Sequence, residues 1–501
     1  MTASLRIVVP AIAPLAALCL AMLPACAEIP EHPSKLVFPD LEYTPPDPAR
    51  HRHVLPCGVP VYVVEDHELP LIDLTVLVRA GAYLEPEGKA GLAALTGSQL
   101  RTGGTAKWTP EELDEELAFL AANVATSIGD TDGTASVNCL SKDLQRVLEL
   151  FLEILRSPRF DEARLALKKD QDLQSLARRN DETSRIEGRE WERLLRGPEF
   201  FAVDHVTRST LEGITREDLL AFHKRTFHPR NFIIAVAGDV RTTEILERLE
   251  AALGPWAREP AGAPVPPVPA PGATPRPGVY IVDKASVNQG RVSIGHLSTM
   301  RKTPDFHALY IMNQVLGGGG FTSRITSKVR SDKGLAYSAG SRFDFGIYFD
   351  GTFRANFQSK SESVAEATAI VLEEIRRMRS EEISREELET AVNYAVGIFP
   401  RFFATAPIVA STFANDELTG RDPAFWPTYR EKMQAVTAAD VLRVSQKYLK
   451  PDSLVILVVG NTAEILKEGV VAHGALEKAA GGQGIQRIPL PDPLTLEYPK
   501  G

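Results

Sequence analysis

Four consecutive glycines, Gly317-Gly318-Gly319-Gly320, open the stretch of this chain with the most chemical content. Phe321-Thr322-Ser323-Arg324 follows, then a helical run to Arg330, a stop at Asp332-Lys333-Gly334, and Leu335-Ala336-Tyr337-Ser338 leading into an alternating strand. Residues without a Cβ permit unusual φ angles and let another backbone or a ligand come close. The run is not a phosphate-binding P-loop, because no Gly-Lys-Ser/Thr follows it. On its own it also fits a flexible loop. Metal chemistry has little to work with: the sequence has no H-x-x-E-H, no H-E-x-x-H and no His/Cys cluster. His223 and His228 stand five apart on a helix running into Pro229, and read as surface or packing residues. No Ser-His-Asp or paired-carboxylate signature supports an independent hydrolase.

The elements that would carry these residues follow from periodicity. Residues 59–64 form a β-branched run, and Ile72, Leu74, Val76 and Val78 alternate with Asp73 and Thr75, the period of a half-buried strand. Thr109-Pro110-Glu111-Glu112 predicts a helix start with a capping box, and Leu113, Leu117 and Leu120 mark one face of that helix. Residues 143–185 read as two helices broken at Ser157-Pro158. Residues 259–277 are proline-rich, an extended spacer. Both sides of that spacer share a signature. Thr215, Asp218, Phe227, Pro229, Val236, Gly238 and Asp239 recur, 222 positions on, as Thr437, Asp440, Leu449, Pro451, Val458, Gly460 and Asn461. The unit is a capped helix, a proline stop, a buried strand and a turn into another helix, so the chain reads as a duplicated domain.

At 501 residues the chain is long for one core, and 44% hydrophobic with 24% charged residues fits a globular protein. A net charge of −9 argues against a nucleic-acid binder. Arg6 followed by an apolar stretch from residue 7 to 23, broken by Pro10 and Pro14, predicts a signal peptide over 1–25. Leu23-Pro24-Ala25-Cys26 resembles a bacterial lipobox with Cys26 as the lipidated residue. Ala25-Cys26-Ala27 also fits ordinary signal peptidase, and a retained anchor stays open. Cys57 and Cys139 are then a candidate disulfide or two buried thiols. The expected division is a tether over 26–50, domains over 51–258 and 278–475 separated by the 259–277 linker, and a tail over 476–501.

Read in order, "LGGGGFTSRITSKVRSDKGLAYS" resembles the C-terminal half of the insulinase/pitrilysin-type metallopeptidases, a family that includes the mitochondrial processing peptidase. "VPVYVVEDHELPLIDLTVLVRAGAYLEPEGKAGLAAL" resembles the segment leading into that family's zinc helix, and "FHPRNFIIAVAGDV" its closing strand. The resemblance spans roughly residues 50–475. It implies two homologous α+β domains, each a mixed or antiparallel sheet with helices packed on one face, closing like a clam around an unfolded peptide.

The family's chemistry needs H-x-x-E-H on a helix and a distant Glu: the two His share one helix face to bind zinc, and the inner Glu is the general base. The matching positions hold Ala94, Gly97 and Ser98, and Gln174 stands near the expected third ligand. No zinc is therefore expected on this chain. The family's substrate-contacting Arg and Tyr match Arg330 and Tyr337. Arg offers fixed donors to peptide carbonyls, and a Tyr hydroxyl can stabilise an oxyanion. Read without the family, Arg330 is a solvated helix-end residue and Tyr337 a strand residue facing the core. The resemblance thus implies a non-catalytic, substrate-binding subunit of a heteromeric zinc peptidase, using Gly317–Gly320, Arg330 and Tyr337, with zinc in an H-x-x-E-H partner. It would be exported to the periplasm or outer membrane on a lipid anchor. The competing reading is a scaffold of the same fold with no proteolytic role.

Overall fold

The computed structural model describes residues 43–467 and 473–499, together with His32, Lys35 and Leu36. The expected signal peptide and Cys26 lie outside the described residues.

Two six-stranded sheets organise residues 44–501, which form one compact unit. The first contains β1 (Arg52–Val54), β2 (Pro60–Glu65), β3 (Leu71–Val78), β4 (Asn123–Ile128), β5 (Gly133–Leu140) and β6 (Phe232–Gly238), in the order β1-β2-β6-β3-β5-β4. The second contains β7 (Gly278–Asp283), β8 (Gln289–Leu297), β9 (Ala336–Phe343), β10 (Thr352–Lys360), β11 (Val455–Gly460) and β12 (Ile485–Ile488), in the order β12-β7-β11-β8-β10-β9. Edge strands aside, the two orders are the same: first strand, last, second, fourth, third. In each sheet the last strand pairs parallel with the first and antiparallel with the second. Central β6 and β11 are unbroken apolar runs, as strands covered on both faces must be.

The 222-residue repeat has a physical counterpart. Thr215 and Thr437 each cap a helix in a reciprocal box with Asp218 and Asp440, an arrangement that contributes about 1 kcal/mol per cap. The edge strands break the symmetry. β1 comes before β2 and runs antiparallel to it. β12 comes from the C-terminal tail and runs parallel to β7, so the tail adds a strand to the second sheet.

The helices that matter for the site are α1 (Leu92–Thr102), α2 (Glu162–Ala177), α3 (Thr183–Arg196), α4 (Arg216–Thr226), α5 (Phe306–Asn313), α6 (Ala406–Thr419) and α7 (Ala438–Tyr448). Each sheet packs one face on helices of its own half. In the first, Val61, Val63, Ile72, Leu74, Ile234 and Val236 share a core with helix residues Leu95, Phe151 and Leu249. The opposite face receives a helix from the other half. α3 packs on β11 and β8, with Ile186, Trp191 and Leu195 clustered on Tyr280, Val282, Val455, Leu457 and Val459. α6 packs on β6, β2 and β3. The two exchanged helices are both 14 residues long and lie 223 positions apart, from 183 to 406.

Polar anchors fix the exchange. Buried Glu187 on α3 accepts from Ser293 at 2.5 Å and from Arg354 at 2.9 Å. Glu417 on α6 takes a bidentate pair from Arg52, both at 2.8 Å, and the Tyr62 hydroxyl at 2.6 Å. These hydrogen bonds satisfy charges that the interface would otherwise strand. Cys57 and Cys139 are free thiols, and burial pushes Cys139 up to about 11.

Candidate functional site

In the first half the residues to place are those of α1. Its N-terminal amides are satisfied from a distance: the Glu85 carboxylate accepts from Gly91 N at 3.2 Å and Ala93 N at 2.7 Å. Burial raises the Glu85 carboxyl above its ordinary value, against the pull of those two N–H groups. Ala94 is exposed and Ser98 half-buried, its hydroxyl donating to Leu95 O at 3.1 Å. Gly97 is buried against β4. A Cβ there would lie 2.3 Å from Ile128 N and 2.7 Å from Ser127 C. Thr126 Oγ1 donates to Gly97 O at 2.7 Å and holds the approach.

These residues do not fit a zinc site. The side chains offer no ligand, and the β4 backbone at Ser127 and Ile128 stands where the Cβ of a Glu at position 97 would have to be. Gln174 is exposed on α2. Among the described residues no group of three His, Cys, Asp or Glu side chains is placed to hold a metal ion.

His223 and His228 are packing residues. His223 is buried, its Nε2 is 2.7 Å from Leu155 O, and burial holds its pKa at about 4. His228 Nε2 is 3.3 Å from Glu259 O. Ser141 and His67 both bond Asp239, at 2.7 and 2.8 Å. The serine therefore faces the acid and not the imidazole, which is the wrong order for an activated nucleophile.

In the second half the chain passes from α5 into a π turn, Gln314–Gly318. Gly317 repeats what Gly97 does: a Cβ there would lie 2.3 Å from Ser341 N on β9. At Gly318 and Gly319 a Cβ would crowd Asn313 Nδ2 and Gln314 O, each at 2.6 Å. Gly320 takes a left-handed φ of 61° with open space around it. The four glycines run from the end of the π turn into a single turn, Gly320–Thr322, that carries Phe321, 66% exposed.

The expected helix to Arg330 is one α turn, Arg324–Thr326, followed by a π stretch, Ser327–Asp332. Such wide turns concentrate at functional sites. Arg324 anchors the segment through a bidentate pair to Glu387, at 2.6 and 2.9 Å.

Arg330 and Tyr337 are brought together. The guanidinium carbon is 4.9 Å from the Tyr337 ring centroid and 4.5 Å from that of Phe321. Tyr337 is 85% exposed, and a bulge accounts for it. By alternation it shares parity with buried Ala339, Ser341 and Phe343, so a regular strand would turn it inward. The register slips between Ala336 and Ser338 and re-aims it to solvent. Sequence pattern does not single out Phe321; its only signal is an aromatic residue directly after the glycines.

Comparison with known proteins shows that the fold is shared. Residues 61–190 match the family model described as Insulinase (Peptidase family M16), and residues 213–394 the model described as Peptidase M16 inactive domain. The Non-peptidase homolog YmxG of Helicobacter pylori is 24% identical over 432 residues, covering 82% of this chain and 94% of its own. The crystal structure of a peptidase M16 inactive domain from Pseudomonas fluorescens superposes with a TM-score of 0.72 at 24% identity, covering 82% of this chain and 97% of that one. The first half of the periplasmic protease PqqL from Escherichia coli gives 0.67 at 15% identity, covering 86% and 97%.

Proposed function

Since this chain belongs to the M16 insulinase peptidase family, we propose that it is a non-catalytic member that binds peptide and completes the active site of an H-x-x-E-H-bearing partner. The observation that carries this reading is the contrast on the two sheets. Of the expected zinc positions Ala94, Gly97 and Ser98, the middle one is closed by the β4 backbone and the other two carry no strong ligand, while half-buried Arg330 stands against the exposed ring of Tyr337. A pure scaffold has no need to hold a bulge that turns an aromatic residue into water. Arg330 would grip the bound peptide, and the Tyr337 hydroxyl would face the oxyanion formed at the partner's zinc. The Gly317–Gly320 loop would let the peptide backbone come close. In this reading the halves over 51–258 and 278–475 act as paired domains around the peptide.

Export fits the N-terminal pattern and the periplasmic setting named for PqqL. Attachment through Cys26 is the finer proposal, and Cys26→Ser should move the protein from membrane to soluble fraction. A protein soluble before and after replacement removes the lipid anchor.

Co-expression with an H-x-x-E-H homologue followed by size-exclusion chromatography tests the partnership. Co-elution with peptidase activity greater than that of either chain alone is expected. Separate elution with no gain in activity favours the scaffold.

A further inference from the structure

Resting on the reading of this face as the peptide-contacting one, we infer that Phe321, Arg330 and Tyr337 form one carboxylate-binding site. The two rings position the guanidinium, and its N–H groups receive a carboxylate of the bound peptide.

Four cations lie between residues 324 and 333. Arg324 is bidentate to Glu387, Lys328 pairs with Asp332 at 2.9 Å, and Lys333 lies 3.7 Å from Glu366. Arg330 differs from all three. Among the described residues its guanidinium makes no hydrogen bond or ion pair and lies over the rings of Phe321 and Tyr337.

Ring faces attract the cation through their quadrupole but accept no N–H···O bond. Its fork of donors is therefore held in place and left without an acceptor. A guanidinium fork matches a carboxylate in two parallel charge-assisted bonds, while a neutral carbonyl offers one acceptor atom and no charge.

The neighbouring cations are already paired, so the site presents a single positive charge. That suits the single charge of a carboxylate better than a phosphate dianion. Phe321 and Tyr337 are 66% and 85% exposed, and a ligand seated on Arg330 would also cover their apolar surface. Phe321 is then a positioning residue, and the ligand class is a peptide α-carboxylate or an acidic side chain.

The two sources separate in a binding assay on the full chain. Three fluorescein-labelled nonapeptides would be titrated by fluorescence polarisation: one with a free C-terminus, the same sequence amidated, and that amide with one internal residue changed to Glu. The free-carboxylate peptide should bind about tenfold tighter than its amide, the factor expected for one charge-assisted pair. Recovery of that affinity by the internal Glu assigns a side-chain carboxylate; no recovery assigns the C-terminus. Phe321→Ala should weaken carboxylate binding about three- to tenfold, Phe321→Tyr should restore it, and Arg330→Lys should abolish the preference over the amide. Phe119→Ala, which removes an exposed ring from the first half, should change nothing. Equal binding of acid and amide, or an unaltered Phe321→Ala, overturns the carboxylate site and leaves peptide binding standing. No binding by any of the three peptides overturns both.

Discussion

In the first half, Gly97 brings α1 down onto β4, and in the second, Gly317 brings the end of α5 down onto β9. In both, the approach leaves a Cβ 2.3 Å from a backbone nitrogen of the third strand. The first half is left with Ala94 and Ser98 on a helix that can hold no metal. The second is left with a glycine loop, a π turn and a bulge that expose Phe321 and Tyr337 and set Arg330 against both rings. The difference teaches why, in the proposed reading, the first half holds no metal. A missing side chain can be put back, but a helix that has settled onto a strand through its backbone leaves no room for the side chain of a general base at position 97.

The largest expected effect tests what couples the halves. Trp191 on α3 is fully buried in the second sheet's far face, and Phe413 on α6 lies against Tyr62 of the first. Trp191→Ala and Phe413→Ala should each cost about 3–5 kcal/mol by denaturant unfolding. Unequal costs would show that one half holds the other, not that each holds both.

Next come the two glycines. Gly97→Ala and Gly317→Ala should each cost about 1–3 kcal/mol, because backbone must shift in both. The triple change Ala94→His, Gly97→Glu, Ser98→His should be less stable still and bind no stoichiometric zinc by elemental analysis. The double change Ala94→His, Ser98→His should fold normally. A stable, zinc-loaded triple variant would mean that the first half differs from an active one only in side chains.

A smaller effect separates the corners where α1 meets α4 and α5 meets α7. The first corner is the pair Lys89–Asp218 at 2.6 Å, with both side chains partly exposed. The second is buried Asp305, bonded by Arg443 at 2.7 Å, Tyr448 at 2.8 Å and Lys447 at 2.9 Å. Burial would raise the Asp305 carboxyl, but those donors outweigh it and hold it at about 2, against an ordinary 3.8. A depressed carboxyl contributes stability that is complete above pH 3.8 and lost as pH falls toward 2. Asp305→Asn should cost about 2 kcal/mol at neutral pH and flatten that acid limb. Lys89→Met should cost about 1 kcal/mol or less. Equal costs would make the two corners equivalent.

Much of this comparison is legible in the sequence. The capping boxes at Thr215 and Thr437, the proline stops and the apolar strands are local signals, and they carry the duplication. The exchange of α3 and α6 is not legible, since an amphipathic face does not say which sheet it meets. Gly97 reads in sequence only as an absent Glu. Its approach to Ile128 joins residues 31 positions apart and exists only once α1 and β4 are packed. Tyr337 misleads in the same way: strand parity places it inside, and the one-residue slip that turns it out leaves no local mark. The Arg330 stack needs three segments in register, and only the glycine run among them announces itself.

The central claim, that this chain lends its second half to another chain's chemistry, is tested most directly by Tyr337→Phe in the complex reconstituted with an H-x-x-E-H partner. The hydroxyl is exposed, so folding and assembly should be unchanged. Peptide turnover should fall by about 10²–10³, the cost of losing one oxyanion donor, with little change in KM. Turnover equal to that of the unaltered complex would contradict the claim and leave the chain a scaffold.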